Sequence, residues 1–337
     1  IAALRPDGLN WTESPHNPIL KHNAVECGGL MKYGDCYFLN GQGGNVGSKR
    51  ALVTYMSYDF DNWTDAVGVG LRRDRPPYQE IDGPHAGEQV HLGASLWNRG
   101  NVILGLYGMW HGESNERKFV SMDLGFVTSN DALHFVEPVP DMKIIEAYGI
   151  INADNSTMVP APKLDQGQGF ENIGGETLFW YWGWETGYIC VARWPEDRMG
   201  YAEAVPDPKP KLLMPEDTHT MFWGNHIQLP IDKTDPHFIS CPIQLDKVGA
   251  RIFVNADGLS RDSSVKVEIL DKQFRPLPGY SSDDCVPIIE GGLRQPVSWQ
   301  GKETLDKYDH PIRVKVLLEG ERLEDANLYA AYVVEDN

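Results

Sequence analysis

The chain has 337 residues, 41% of them hydrophobic, with 30 Lys and Arg against 48 Asp and Glu, for a formal net charge of −18. That charge repels polyanions, which excludes nucleic acid and anionic membrane surfaces as natural partners and leaves neutral polymers acceptable. No apolar run approaches the ~18 residues of a membrane span, and five scattered cysteines without a CxxC pair specify neither a zinc site nor a disulfide framework.

One turn recurs along the chain: Arg5-Pro6-Asp7-Gly8-Leu9-Asn10-Trp11, Ser57-Tyr58-Asp59-Phe60-Asp61-Asn62-Trp63, Ser129-Asn130-Asp131-Ala132-Leu133-His134-Phe135, and a degenerate copy from Arg193 to Tyr201. In the first three an Asp stands four residues before an aromatic ring. The short carboxylate folds back on a tight turn, and the ring is expected to enter the packing between neighbouring sheets. The Asp-to-Asp steps are 52 (7 to 59), 72 (59 to 131) and 66 (131 to 197), each long enough for a small antiparallel sheet and a loop. A repeat of about one four-stranded sheet predicts a β-propeller.

Residues 1–20 lack the basic-then-apolar order of a signal peptide, and the chain opens on the tail of a repeat, so the sequence is expected to begin within a longer protein. Strand patterns dominate from there on, with no long 3.6-residue apolar period. Residues 24–70 read as a blade: Val25 to Lys32, a Tyr33-Gly34-Asp35 turn, Cys36 to Asn40, a glycine-rich loop over 41–47, then Ala51 to Ser57. A Cys27–Cys36 bridge across that hairpin is left open by the sequence. Residues 88–140 read as the next blade, with Gln89 to Trp97 and Val102 to Trp110 flanking the hairpin turn Asn98-Arg99-Gly100-Asn101, and Met122 to Thr128 as a third strand. A third blade is expected over 156–238, clearest in Thr177 to Trp184 and Gly187 to Arg193. The Pro-rich stretch 206–210 is a connector, and the character changes at about Ile239, so the propeller domain is read as 1–238. Alternating strands at 251–256, 265–271, 295–299, 312–318 and 328–334 make 239–337 an antiparallel β-sandwich. Three blades leave sheet edges unpaired. Completion is expected from residues before Ile1, from a second chain as in a homo-oligomer, or from strands hidden in 138–169 and 206–237.

First strands of propeller blades converge on one axial end, which makes polar residues early in those strands candidates for chemistry. Glu26, in Val25-Glu26-Cys27-Gly28-Gly29, opens an apolar strand followed by small residues that would let a ligand approach. Its carboxyl is expected to be partly desolvated there, as suits a general acid near neutral pH. The phrase Pro84-His85-Ala86-Gly87-Glu88-Gln89-Val90-His91 packs two imidazoles, a carboxylate and an amide ahead of an apolar strand, groups suited to sugar hydroxyls. Alternation puts Gln89 and His91 on one face and Glu88 on the other. No HxH or HExxH spacing turns His85 and His91 into a metal site. Aromatic rings offer flat faces for sugar C–H groups. Trp97, Trp110 and His111 lie on the middle blade, and the run 179–184 with Glu185 lies on the next, most of them expected in the core. Trp110 or Trp182 is expected to stack on a sugar, and Glu171 falls in an expected loop near the same end. A GxSxG elbow, a P-loop and a strand-anchored GxGxxG are absent, so no cofactor is implied and acid–base work by carboxylates is the principal catalytic option.

The turn phrases at 5–12 and 57–64, Val254-Asn255-Ala256-Asp257-Gly258, the strand 265–271 and the phrase 278–285 together resemble the glycoside hydrolase family 32-like five-bladed propellers with a C-terminal sandwich, distant relatives of invertases, levanases and the family 43 arabinosidases. The resemblance implies an all-β chain acting on an oligosaccharide or polysaccharide. It also implies a general-acid Glu at the start of the third blade, to which Glu26-Cys27 is similar, with two catalytic Asp residues before Ile1. The function expected is glycosidic-bond hydrolysis, with a non-catalytic glycan-binding propeller as the alternative. His85, Glu88, Gln89, His91, Trp110, His111, Glu171 and Trp182 are the expected substrate contacts.

Overall fold

A computed structural model of the chain describes residues 3–4, 9–20, 25–46, 49–65, 68–73, 83–147, 150–151, 158–159, 162–204, 236–246 and 249–335. Among them the protein is all-β, with antiparallel sheets, two short 3-10 turns and no α-helix. It divides into two compact units, Ile1–Trp194 and Pro195–Asn337.

The first unit opens with a short pair, β1 (Ala3–Leu4) and β2 (Thr12–Glu13). Three meandering sheets follow. The first holds β3 (Val25–Tyr33), β4 (Cys36–Val46), β5 (Lys49–Ser57) and β6 (Gly68–Leu71) in sequential order. In the second, β7 (Gly87–Asn98), β8 (Ile103–Gly112), β9 (Val120–Ser129) and β10 (Lys143–Ile145) are likewise sequential. After the pair β11 (Ile150–Ile151) and β12 (Met158–Val159) comes the third sheet, β13 (Leu164–Ile173), β14 (Glu176–Gly183) and β15 (Ile189–Pro195). Leu52, Val90, Ala94, Tyr107, Met109 and Phe135 fill the space between the first two sheets, and Leu106, Leu124, Leu164 and Phe179 that between the second and third.

The recurring turn folds as its sequence predicts in the two central copies. Asp59 Oδ1 accepts hydrogen bonds from the Asp61 and Asn62 amides at 3.0 and 2.7 Å, and Asp131 Oδ1 from the Leu133 and His134 amides at 2.9 and 2.8 Å. Phe135 is buried and Trp63 packs against Leu39, Val53 and Tyr55. The outer copies differ. Arg5 to Gly8 lie outside the described residues and Trp11 is 62% exposed, so that ring is not buried between sheets; in the degenerate copy Tyr201 is exposed and meets Tyr329 edge-on at 5.7 Å.

Strand β4 also corrects an expectation. It continues through the glycines at 41–44, read from sequence as a loop, because the absent side chains let its neighbours close in. A Cβ on Gly41 would overlap the Glu26 carbonyl, and one on Gly43 would overlap the Val53 side chain. Neither Cys27 nor Cys36 is in a disulfide, so no bridge forms between them.

The second unit begins at Pro195, earlier than the 238/239 boundary read from the sequence. Residues 195–204 belong to it because Ala202 bridges Leu328, Ala204 enters its core, and Arg198 meets Asp257 Oδ2 at 2.6 Å. One sheet comprises β16 (His237–Ile239), β18 (Ser264–Leu270) and β21 (Arg313–Glu319). The other contains β17 (Gly249–Asp257), β19 (Gly292–Pro296), β20 (Leu305–Asp306) and β22 (Asn327–Glu335). Ile252, Val254, Val267, Ile269, Val314 and Val316 interleave between them, and Trp299 donates its indole N–H to the Val267 carbonyl at 2.9 Å. The stretch 205–235, which includes the Pro-rich connector and the end of the expected third blade, lies outside the described residues.

Candidate active site

The first strands of the three sheets, β3, β7 and β13, lie side by side. A Cβ on Gly28 would overlap the Leu92 carbonyl and one on Gly29 the Ala94 carbonyl, so β3 and β7 advance in the same direction. From β13, Gln166 donates to the His91 and Gly93 carbonyls at 3.2 and 2.9 Å, and Gln168 donates to the Gly28 carbonyl. Each strand carries the same local phrase of an apolar residue, a titratable residue, any residue and glycine: Val25-Glu26-Cys27-Gly28, Val90-His91-Leu92-Gly93 and Leu164-Asp165-Gln166-Gly167. In all three the pairing register shifts within one or two residues after the titratable position, a bulge that re-aims the strand. Glu26, His91 and Asp165 are therefore equivalent positions of three adjoining strands.

Glu26 is exposed, contrary to the desolvation expected for it. The small residues after it admit strand β7 and not a ligand, which leaves its carboxyl at the open edge of β3. Gln42, directly opposite in the pairing, donates to Glu26 Oε2 at 2.8 Å and accepts from the Leu92 amide at 3.3 Å. One amide thus orients the carboxyl and ties it to the backbone beside His91.

His91 and Asp165 are buried, with Nδ1 and Oδ1 3.1 Å apart. The two atoms lie within ion-pair distance, yet neither makes an aligned hydrogen bond among the described residues, so their interaction is electrostatic. The imidazole is sandwiched between Trp110 and Trp184, with centroids at 5.6 and 5.4 Å. Sequence reasoning did not single out Asp165, which lies ahead of the clearest strands of the expected third blade; its four-residue phrase also occurs at 31–34, 122–125 and 184–187 and is too common to mark it.

Gln89 and His91 share the face carrying Trp110, as alternation predicts, but Gln89 and Trp110 are each 1% exposed. The Gln89 amide donates to the Pro84 and Ala86 carbonyls and accepts from the Arg50 amide, which uses its capacity inside the fold. Trp110 donates its N–H to the His85 carbonyl at 2.8 Å and has Arg50 over its ring at 4.2 Å. Neither is open to a sugar, which corrects both expectations. His85 is half-buried and stacks on Trp110 at 5.8 Å. Burial, with the charges of Arg50 and Arg117, holds its imidazole below the ordinary value.

The opposite face of the second sheet carries a separate charged row. Glu88 Oε2 lies 2.7 Å from the buried Arg73 Nη1 and 2.8 Å from His111 Nδ1, while His111 Nε2 lies 3.1 Å from Asp123 Oδ2. Lys143 reaches the same Asp123 oxygen at 2.7 Å. Hydrogen bonds to Asp123 and then Glu88 push His111 up to about 9, so it is an imidazolium at neutral pH. Burial alone would raise Asp123, but hydrogen bonds from His111, Lys143 and the Ala147 amide hold it well below the usual carboxylate range. Glu88 and His111 are thus engaged with each other, on the other face from His91. Glu171 sits within β13 and not in a loop; it is exposed, and six positions beyond Asp165 place it roughly 20 Å along the strand. Trp182 stands opposite Asp165 in the pairing, half-buried, but the ring stacked on His91 is that of Trp184. Among the described residues no cluster of three His, Cys, Asp or Glu is placed to hold a metal ion.

No family model and no curated protein matches the chain. Solved structures do. The GH43 protein BlXynB of Bacillus licheniformis is 11% identical with a TM-score of 0.29, over 95% of this chain and 99% of that one. The Bacteroides ovatus xyloglucan PUL GH43B is 10% identical with a TM-score of 0.30, over 94% and 98%. The GH32 beta-fructofuranosidase BmSUC1 of Bombyx mori is 11% identical with a TM-score of 0.28, over 94% and 80%. This is a distant likeness, to the same two families that the turn and Glu-Cys phrases resemble.

Proposed function

We propose that the protein is a glycoside hydrolase that uses Glu26 as proton donor and Asp165 as its second carboxyl group. The observation that carries this reading is the equivalence of Glu26, His91 and Asp165 on three adjoining first strands, each before a bulge. Cleavage of a glycosidic bond needs two carboxyl groups near one axis. One gives its proton to the leaving oxygen as the C–O bond breaks, and the other activates water or attacks the sugar carbon as positive charge builds on the ring. Glu26 is the accessible carboxyl, oriented by Gln42, and suits the first role. Asp165, at the equivalent position of β13, is assigned the second; it is buried beside an imidazole that two indoles flank, so that role requires its surroundings to open to the sugar.

The burial of Asp165 against His91 favours one rival, a glycan-binding propeller without turnover in which that carboxylate is purely structural. Screening plant, algal and microbial glycans with product detection separates the two. Released sugars that vanish in Glu26→Gln and fall steeply in Asp165→Asn support hydrolysis; retention of a glycan with no product across the panel supports the rival.

A further inference from the structure

We propose that the sugar taken at this end of the first unit carries an anionic group, a carboxylate or a sulfate, seated between Arg50 and Arg117. The inference deepens the hydrolase reading, on which it rests for the identity of the bound molecule as a sugar.

Both arginines stand at the end where the first strands begin. Arg50 opens β5, whose pairing with the end of β4 lies beside Glu26, and Arg117 lies in the connection from β8 to β9, beside the start of β7. Each guanidinium carbon lies over an indole, Arg50 over Trp110 at 4.2 Å and Arg117 over Trp184 at 4.4 Å. Those indoles are the pair that sandwich His91. A guanidinium stacked by its face keeps its N–H edge free for a planar, two-oxygen partner, the geometry of carboxylate and sulfate recognition.

Neither arginine has a carboxylate within ion-pair distance among the described residues, although acids outnumber bases 48 to 30 in this chain. Arg50 Nη1 makes only long contacts, to the Pro84 carbonyl at 3.4 Å and Gln89 Oε1 at 3.5 Å. Arg50 feels the charge of Glu26, whose Oε2 is held by Gln42. By contrast the buried Arg73 has two carboxylates, Glu88 and Asp141, at 2.7 and 2.9 Å. Burial acts to lower Arg50, the charge of Glu26 acts to raise it, and the charge of Arg117 acts to lower it, so the two guanidiniums repel each other. His85 feels both, and its Nδ1 is buried with no hydrogen-bond partner among the described residues. A bound anion relieves the repulsion and gives those donors an acceptor.

The overall charge of −18 sets the scale of the ligand. Repulsion by the whole protein acts on an extended polyanion, whereas one charge at the site lies well inside a Debye length of ~10 Å from both guanidiniums. A single acidic sugar among neutral ones fits both facts.

The test is titration calorimetry on the full chain with sodium glucuronate, galactose 6-sulfate, glucose and galactose as probes. At least one charged sugar should bind about tenfold or more tighter than its neutral counterpart, with the preference weakening as NaCl is raised. Arg117→Gln, at an exposed position, should abolish most of that preference with the fold intact by circular dichroism. Glucuronate alone binding identifies a carboxylate site, and galactose 6-sulfate alone a sulfate site. Equal affinity for charged and neutral sugars, binding by neither charged sugar, or a preference unmoved in both Arg117→Gln and Arg50→Gln overturns the inference. Hydrolysis of a neutral glycan with no preference for acidic sugars also overturns it and leaves the hydrolase reading standing. Binding of an acidic sugar without turnover of any glycan does the reverse.

Discussion

The Asp165 carboxyl stands 3.1 Å from the His91 imidazole, and that imidazole stacks with both Trp110 and Trp184. A buried polar pair is costly to break on one side alone, because the remaining partner stays unsatisfied. Asp165→Asn keeps the shape and removes the charge. Turnover on the cleaved glycan is expected to fall by roughly two to four orders of magnitude, the range for acid–base groups, with KM nearly unchanged. Steady-state kinetics checks this, and a change confined to KM would assign Asp165 to binding.

The charged row on the other face makes the first unit sensitive to alkali. His111 is raised to about 9 in the folded chain against about 6.5 unfolded. A raised value contributes stability that is fully present below about pH 6.5 and is lost as pH climbs through about 9. The melting temperature should therefore decline between pH 6.5 and 9, and the decline should flatten in His111→Gln. Equal slopes in the two proteins would show that the row does not hold its proton.

On the acid side the turn carboxylates act in the opposite sense. Hydrogen bonds from Asn62 lower Asp59 to about 2; for Asp131, burial opposes the backbone and side-chain bonds from His134 that bring it to about 2. Depressed values contribute stability present above about pH 4 and lost as pH falls toward 2. Asp131→Asn should shrink the acid-induced loss of melting temperature over that window.

Strand contact across the axis rests on missing side chains. Gly28→Ala and Gly29→Ala force a methyl into the Leu92 and Ala94 carbonyls, and each is expected to destabilise by about 1–3 kcal/mol or more. Gly34, in the hairpin turn with φ of +57° and open space around it, is the control. Gly34→Asn should cost little, because Asn tolerates the left-handed region. Urea denaturation midpoints give the comparison.

The strands and turns were legible because their signals are local. Alternation fixed the sandwich strands to within a few residues, and the backbone-capping geometry of Asp59 and Asp131 follows from a carboxylate placed before two free amides. Burial was not legible in the same way. Gln89 and Trp110 have the chemistry of sugar contacts, yet Arg50, from a distant segment, and the Pro84–Ala86 backbone, folded back from just upstream of Gln89, occupy them. The glycines after Glu26 were misread for a similar reason, since the approaching group is a strand some 64 residues away (28 to 92) and no local pattern announces it. Asp165 lay in view, but its four-residue phrase also occurs at 31–34, 122–125 and 184–187, so it singles out three positions only once the three first strands adjoin.

Proton donation by Glu26 is tested most directly by comparing wild type and Glu26→Gln on two aryl glycosides of the cleaved sugar, one with a poor leaving group and one with dinitrophenolate. A donor matters when the leaving oxygen needs a proton and little when it does not. The account predicts a loss of at least about a hundredfold in kcat/KM on the first and only a small loss on the second. Equal losses on both, or near-normal cleavage of the first, would contradict it.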